Sequence, residues 1–342
     1  MRYLAPSVCL LGLSLALLLG VCISLKSGVV DVSYADIWRA LTSSGHDSHV
    51  TRLQTIVFDI RLPRTLLALS VGVILALSGA IMQGLFRNPL ADPSLIGVSS
   101  GASVGASVAI VLTGGAIQMS GSLGLSLVMT GAFLGGLSAT AIVYRLATSE
   151  FGTSVTTMLL AGIAITAIAG AINGLLAYFA SDSLLRQMSV WQMGSLSTAN
   201  WHRLIPVVGV MVLLVGLAPR FSRALNALLL GESEARHLGI AVQRVKQQLI
   251  LITALAIGIA VSVSGLIGFV GLVVPHFVRL LIGPDHRWLL PASALGGGLL
   301  LVVADTLART AASPAELPIG VLTALVGAPW FIVLLIQQRR SV

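Results

Sequence analysis

An all-α polytopic membrane protein with about ten transmembrane helices is the fold this sequence predicts, on three observations. Of its 342 residues, 56% are hydrophobic and only 9% charged, where soluble domains carry about 25% charge. The mean hydropathy is +0.99. The apolar residues fall in long windows, not in the short alternating segments of a barrel, and a backbone in lipid must pair its polar groups internally. The windows are therefore helices, and residues 1–342 read as a single transmembrane domain in a lipid bilayer. A net charge of +8 would suggest nucleic acid as a partner of a soluble protein. Here the basic residues lie between the windows and follow the positive-inside rule instead, so no nucleic-acid partner is expected.

A span needs roughly 20 apolar residues. Windows at 6–25, 65–86, 94–113, 121–144, 155–179, 204–218, 249–269, 271–282, 289–308 and 319–337 meet or approach this, the sixth and eighth being short. The first is too long for a signal-peptide core and lacks a small-x-small cleavage site, so it reads as a span. It holds both cysteines, Cys9 and Cys22, which offer neither a disulfide framework nor a metal site. With the N-terminus inside, twelve Lys/Arg face five Asp/Glu on the inner side and eight face seven outside. That asymmetry predicts an N-in, C-in chain.

The first outer (periplasmic) segment, residues 26–64, contains Tyr34 to Leu41, an amphipathic stretch with Trp38 as interfacial anchor. It ends at Arg61-Leu-Pro-Arg64. Outer arginines run against the charge trend; they suit lipid phosphate or an acidic docking partner, and Arg309 falls at the same level. After the second window, Arg87-Asn88-Pro89-Leu90-Ala-Asp92-Pro93 forbids a continuous helix and makes a rigid inner turn. Gly97, Gly101 and Gly105 then form a small-xxx-small ridge for close helix packing. The same stretch matches the G-x-S-x-G of serine hydrolases at Ser99, but no strand precedes it. Helix packing is the expected role. The outer loop 181–194 combines Arg186 with Met188, Trp191 and Met193, either as an interfacial belt or as the rim of an outer cavity. No Walker A sequence and no H-E-x-x-H occurs, so the chain is not expected to be an enzyme or to hydrolyse ATP. Residues 219–248 form a charged interval between apolar windows, with Gly231-Glu232-Ser-Glu234-Ala235-Arg236-His-Leu238-Gly239 at its centre.

Five separated stretches resemble the FecCD family of permeases from ATP-driven (ABC) importers of ferric siderophores, haem and cobalamin. They are RLPRTLLALSVG (61–72), SGAIMQGLFRNPLADPSLIGVSSGAS (78–103), LLLGESEARHLGI (228–240), GLIGFVGLVVPHFVRLLIGPDHR (265–287) and ELPIGVLTALVGAPWFIVLL (316–335). The resemblance implies the fold of a type II ABC importer permease: ten spans, a homodimer, two ATPase subunits carrying ATP and Mg, and a periplasmic binding protein. It implies a multi-pass protein of the bacterial inner membrane that binds no cofactor itself. By position, Arg61, Arg64 and Arg309 match binding-protein docking sites. Gly231, Glu232, Glu234, Ala235, Arg236, Leu238 and Gly239 match the ATPase-coupling loop. Asn88, Pro89 and Leu90 match an inner gate, with Ser154, Thr156 and Thr157 as a second one. The Met/Trp loop beside Arg186 would suit a flat ring bearing carboxylates, which leans the cargo toward haem over a siderophore or cobalamin. A proton-coupled carrier is the rival class, and Asp305, the deepest carboxylate, would be its relay.

Overall fold

The computed structural model describes residues 3–42, 48–114, 122–150 and 152–339. Arg2 and Arg340, counted above among the inner charges, lie outside them. The helices are α1 (Pro6–Lys26), α2 (Tyr34–Thr42), α3 (Ser48–Gln54), α4 (Leu62–Leu85), α5 (Val98–Leu112), α6 (Ser122–Ala147), α7 (Val155–Phe179), α8 (Asp182–Gln192) and α9 (Trp201–Leu230), followed by α10 (Glu232–His237), α11 (Val242–Ser264), α12 (Val270–Ile282), α13 (His286–Thr310) and α14 (Ile319–Arg339). A two-stranded hairpin, β1 (Thr148–Ser149) with β2 (Gly152–Thr153), joins α6 to α7. Among the described residues, seven helices are long and apolar enough to cross a membrane, and three shorter apolar helices accompany them.

The bundle is built around α4. Its sequence is apolar all round, the mark of a helix enclosed by others, and α9, α11, α12 and α13 pack against it. Two glycines make this possible. A Cβ on Gly72 would lie 2.2 Å from the Gly297 carbonyl oxygen of α13, and one on Gly79 would lie 1.8 Å from that of Gly271 on α12. The backbones touch where the glycines are, which is how helices associate in a medium that offers no hydrophobic drive between them. On the other flank, α5 and α6 meet the same way: Gly101 faces the Gly135 oxygen at 2.3 Å and Gly105 faces that of Gly131 at 2.0 Å, measured from the absent Cβ positions. Gly97 has a different job. It is the N-cap of α5 with φ +85°, a left-handed conformation that favours glycine.

Two expectations change. The sixth window does not end at 218: α9 runs on through Pro219 to Leu230. Arg220 and Arg223 are exposed on that helix end, so their polarity marks a solvated face and not a break. The interval 219–248 is thus the end of α9, the short α10 and the start of α11. Arg61-Leu-Pro-Arg64 is not the tail of a loop either. A π-helical segment, Thr55–Arg61, makes α3 and α4 continuous over 38 residues. The stretch 268–275, which Gly268, Gly271 and Pro275 mark for a broken helix, does interrupt the run: α11 ends at Ser264, Phe269 takes φ 67° and α12 begins at Val270. At the interface, α2 forms as expected. Ser33 and Asp36 cap it reciprocally, and Trp38 is 67% exposed.

Candidate functional site

The most polar end of the bundle is built on α10. Gly231 enters it at φ 137°, a conformation that a side chain would strain, and the Glu234 carboxylate folds back over that glycine. The helix is ended by paired bonds, Ile240 N–H to Ala235 O (3.0 Å) and Gly239 N–H to Arg236 O (2.9 Å), with Gly239 at φ +81°. This is the Schellman arrangement, and glycine suits its left-handed position. Ala235 is fully buried against the bundle, whereas Glu234, Arg236, His237 and Leu238 face outward. Leu238 is 63% exposed, an apolar side chain ringed by charge. Glu232 holds Arg236 at 3.7 Å on its outer side and Lys246 of α11 on its inner side.

Two turns lie at the same end. In the first, Arg87 adopts φ 49°, and the Asn88 Oδ1 accepts the Leu90 N–H at 2.9 Å, leaving Asn88 exposed and Pro89 and Leu90 half-buried. Asp92 caps the following 3₁₀ turn through Ser94 N–H, and burial pushes its carboxyl above the usual carboxylate range against the pull of that bond. The second is the β1–β2 hairpin. It ends at Ser154, the N-cap of α7, whose Oγ accepts from the Thr157 N–H and hydroxyl, with Thr156 and Thr157 exposed. No hydrogen bond joins the two turns among the described residues, but the 3₁₀ turn Pro93–Ile96 packs on α7, where Gly162 admits the Leu95 oxygen. Nearby, the Arg287 N–H and then the Asn226 amide hold the Asp285 carboxyl below the usual carboxylate range.

Toward the middle, Ser99, Ser100, Ser103, Thr166 and Asn173 of α5 and α7 line a groove of about 290 Å³. Asn173 Nδ2 donates to Ser103 at 3.1 Å. Ser99 belongs to this hydroxyl-lined wall. His276 does not line it; its ring stands edge-on to Trp330 at 5.6 Å. A serine–histidine pair is therefore not assembled.

At the opposite end, Arg61, Arg64 and Arg309, expected as docking positions for an acidic partner, are buried and bonded within the bundle. Arg61 is 4% exposed and donates to the Leu25 (2.8 Å), Lys26 and Val30 carbonyls. Arg64, 8% exposed, forks onto Asp305 (2.9 Å) and Glu316 (2.9 Å). Arg309, 4% exposed, bonds Ser24 O and Ser27 O and faces Asp305 at 3.4 Å. A buried guanidinium needs such partners to offset lost hydration. Asp305 is therefore a counter-ion shared by two arginines, not a free relay. The outer cavity also differs. Arg186 and Trp191 line a space of about 310 Å³ with Met129 and Arg203, but Met188 is 3% exposed in the core, and Met193 does not line the cavity. Arg203, which no local motif singles out, sits 8% exposed in that wall and bonds the Thr198 hydroxyl.

Residues 16–337 match the FecCD transport family. The chain belongs to that family. It is 46% identical over 318 residues to a hemin transport system permease protein of Yersinia pestis, covering 93% of this chain and 92% of the relative. It is 42% identical over 332 residues to a vitamin B12 import system permease protein of Salmonella paratyphi A, 97% of this chain and 95% of the relative. A solved inward-facing conformation of a metal-chelate type ABC transporter superposes with a TM-score of 0.84 at 34% identity, over 97% of this chain and 100% of that one. Family members of this kind are membrane permease subunits.

Proposed function

We propose that this chain is the membrane subunit of an ATP-driven importer that moves an iron chelate, with haem as the favoured cargo, into the cytoplasm across the bacterial inner membrane. The observation that carries it is α10: a six-residue helix between two positive-φ glycines, anchored by buried Ala235 and offering Leu238 outward at the charged end of an otherwise apolar bundle. A separate ATPase fits that surface. Two copies of the chain would pair, and the broad exposed apolar face of α7 (Leu160, Ile163, Leu175) supports a second copy or lipid against it. In this reading α10 faces the cytosol, and ATP binding draws two ATPases together, moves both α10 helices and reorients α5–α7 as rigid bodies. The hydroxyl-lined groove then serves as part of the pathway wall, polar enough to stay wet yet without charge to trap cargo.

Haem is favoured over cobalamin because Arg186 and Arg203 give the outer cavity two cations for carboxylates beside the Trp191 face. For the binding protein, contact falls on the rim above the arginine network. Glu316, whose side chain is 36% exposed, is the surface partner of Arg64, and an acidic side chain of the binding protein would compete with it there.

The ATPase surface is tested by Leu238→Glu. Its capture of the ATPase, read by co-purification and by affinity in detergent, should weaken by tenfold or more, since a truncated interface anchor typically costs about 2 kcal/mol. Thermal unfolding of the isolated permease should not move, because Leu238 contacts solvent. Undiminished capture would remove α10 from the interface.

A further inference from the structure

Lys246 is the most buried amine among the described residues, 3% exposed near the start of α11. Its Nζ donates to the Thr153 carbonyl at 3.0 Å and to Glu232, the first residue of α10. One turn earlier, Gln243 grips the same threonine twice: its Oε1 accepts the Thr153 N–H at 3.1 Å, and its Nε2 donates to the Thr153 Oγ1 at 2.7 Å. Thr153 is the last residue of the hairpin, paired with Thr148 by backbone register and by a 3.0 Å hydroxyl contact. Ser154, the next residue, caps α7. Gly152, at φ +110°, leaves room for the approach: a Cβ there would lie 3.2 Å from the Gln243 Oε1.

We infer that Lys246, seconded by Gln243, is a positioning residue that fastens the α6–α7 hairpin to the coupling helix, so that movement of α10 is delivered to the first turn of α7. The inference rests on the reading of α10 as the ATPase contact. A continuous polar path runs Glu232, Lys246, Thr153, Ser154, Thr157. Every step is a hydrogen bond or a peptide unit. A lysine removed from water is costly unless it is paired and fully bonded, and an apolar residue would pack α11 against α10 more cheaply. Buried polar contacts of this type fix registry between elements more than they add stability. What Lys246 fixes is the position of a turn that is otherwise exposed at Glu150, Ser154 and Thr157. The α7 it leads into is only 22% buried over its apolar window.

The test uses the permease–ATPase complex in lipid vesicles, with Cys9→Ser, Cys22→Ser and a single reporter, Glu150→Cys, at the hairpin tip. The rate of maleimide labelling is read with and without ATP, alongside ATP hydrolysis. With Lys246 in place, ATP should change the labelling rate by about tenfold, the range of ordinary coupling between sites. Lys246→Met should abolish that response while ATPase capture and hydrolysis persist. Lys246→Arg should keep it, since a guanidinium can reach both acceptors. The exchange Glu232→Lys with Lys246→Glu restores the ion pair but sets a carboxylate against the Thr153 carbonyl, and should stay unresponsive. If Lys246→Met does not assemble, Gln243→Ala gives the decision through the second grip. An unchanged ATP response in Lys246→Met and Gln243→Ala overturns the inference alone. A parent complex that captures no ATPase overturns the reading of α10, and the inference with it.

Discussion

Asp305→Ala is expected to lower the stability of the permease by about 3–5 kcal/mol, the usual cost of stranding buried charge. Asp305 is 1% exposed and is the carboxylate between Arg64 and Arg309. Removing it leaves Arg64 with Glu316 at the rim and leaves Arg309 with the Ser24 and Ser27 carbonyls and the Ser24 hydroxyl, all uncharged. The damage should spread to α1. That helix is held to the bundle through Arg309 on Ser24, Arg61 on Leu25 and Lys26, the Ser24–Thr65 hydroxyl pair at 2.8 Å, and little enclosed surface, 17% of its apolar window being buried. Thermal unfolding in detergent should show an earlier transition, with α1 the first segment to become protease-sensitive. Asp305→Asn, which keeps one acceptor, should fall between. The same variants separate two mechanisms. In a proton-coupled carrier Asp305→Asn would stop transport in a fully stable protein, whereas here the loss of stability precedes any loss of transport.

Gly79→Ala should be as damaging although it adds one methyl group. The new Cβ would stand 1.8 Å from the Gly271 oxygen and 2.5 Å from its carbonyl carbon, so backbone must yield, not a flexible side-chain end. Overpacking of a core costs about 1–3 kcal/mol when side chains can adjust, and the α4–α12 contact lacks that freedom. Gly216→Ala on α9 and Gly170→Ala on α7 are the controls, because nothing lies within 4 Å of a Cβ at either position. Folded yield and unfolding temperature should drop for Gly79→Ala and stay level for both controls. Equal behaviour of all three would mean that α4 and α12 are not in backbone contact.

These effects show which parts of the molecule local sequence could reveal. The helices were legible because lipid demands long apolar windows, and the ridge at Gly101 and Gly105 because a four-residue spacing returns to one face. The break before α12 was legible from Gly268, Gly271 and Pro275. The helix through Pro219 was not, because Arg220 and Arg223 were read as the end of a span when they are only its solvated face. The arginine network escaped for a different reason. Arg64 finds Asp305 and Glu316 at separations of 241 and 252 residues, and no local pattern announces a partner so distant. Read alone, each arginine looked like a free outer charge. Lys246 was likewise counted as one more inner-side cation, since its acceptor Thr153 is 93 residues away. The segment around α10 was visible because charged residues interrupt the apolar windows there and LLLGESEARHLGI (228–240) resembles the family; which face of α10 is buried was not.

The central claim is that an ATPase working on α10 drives an iron chelate through this chain. The measurement that tests it most directly is ATP-dependent uptake of haem into vesicles holding the permease–ATPase complex, with the binding protein supplied haem-loaded, cobalamin-loaded or empty. The account predicts haem accumulation that requires ATP and is lost with Leu238→Glu. Haem uptake by the permease without ATPase or ATP would contradict it.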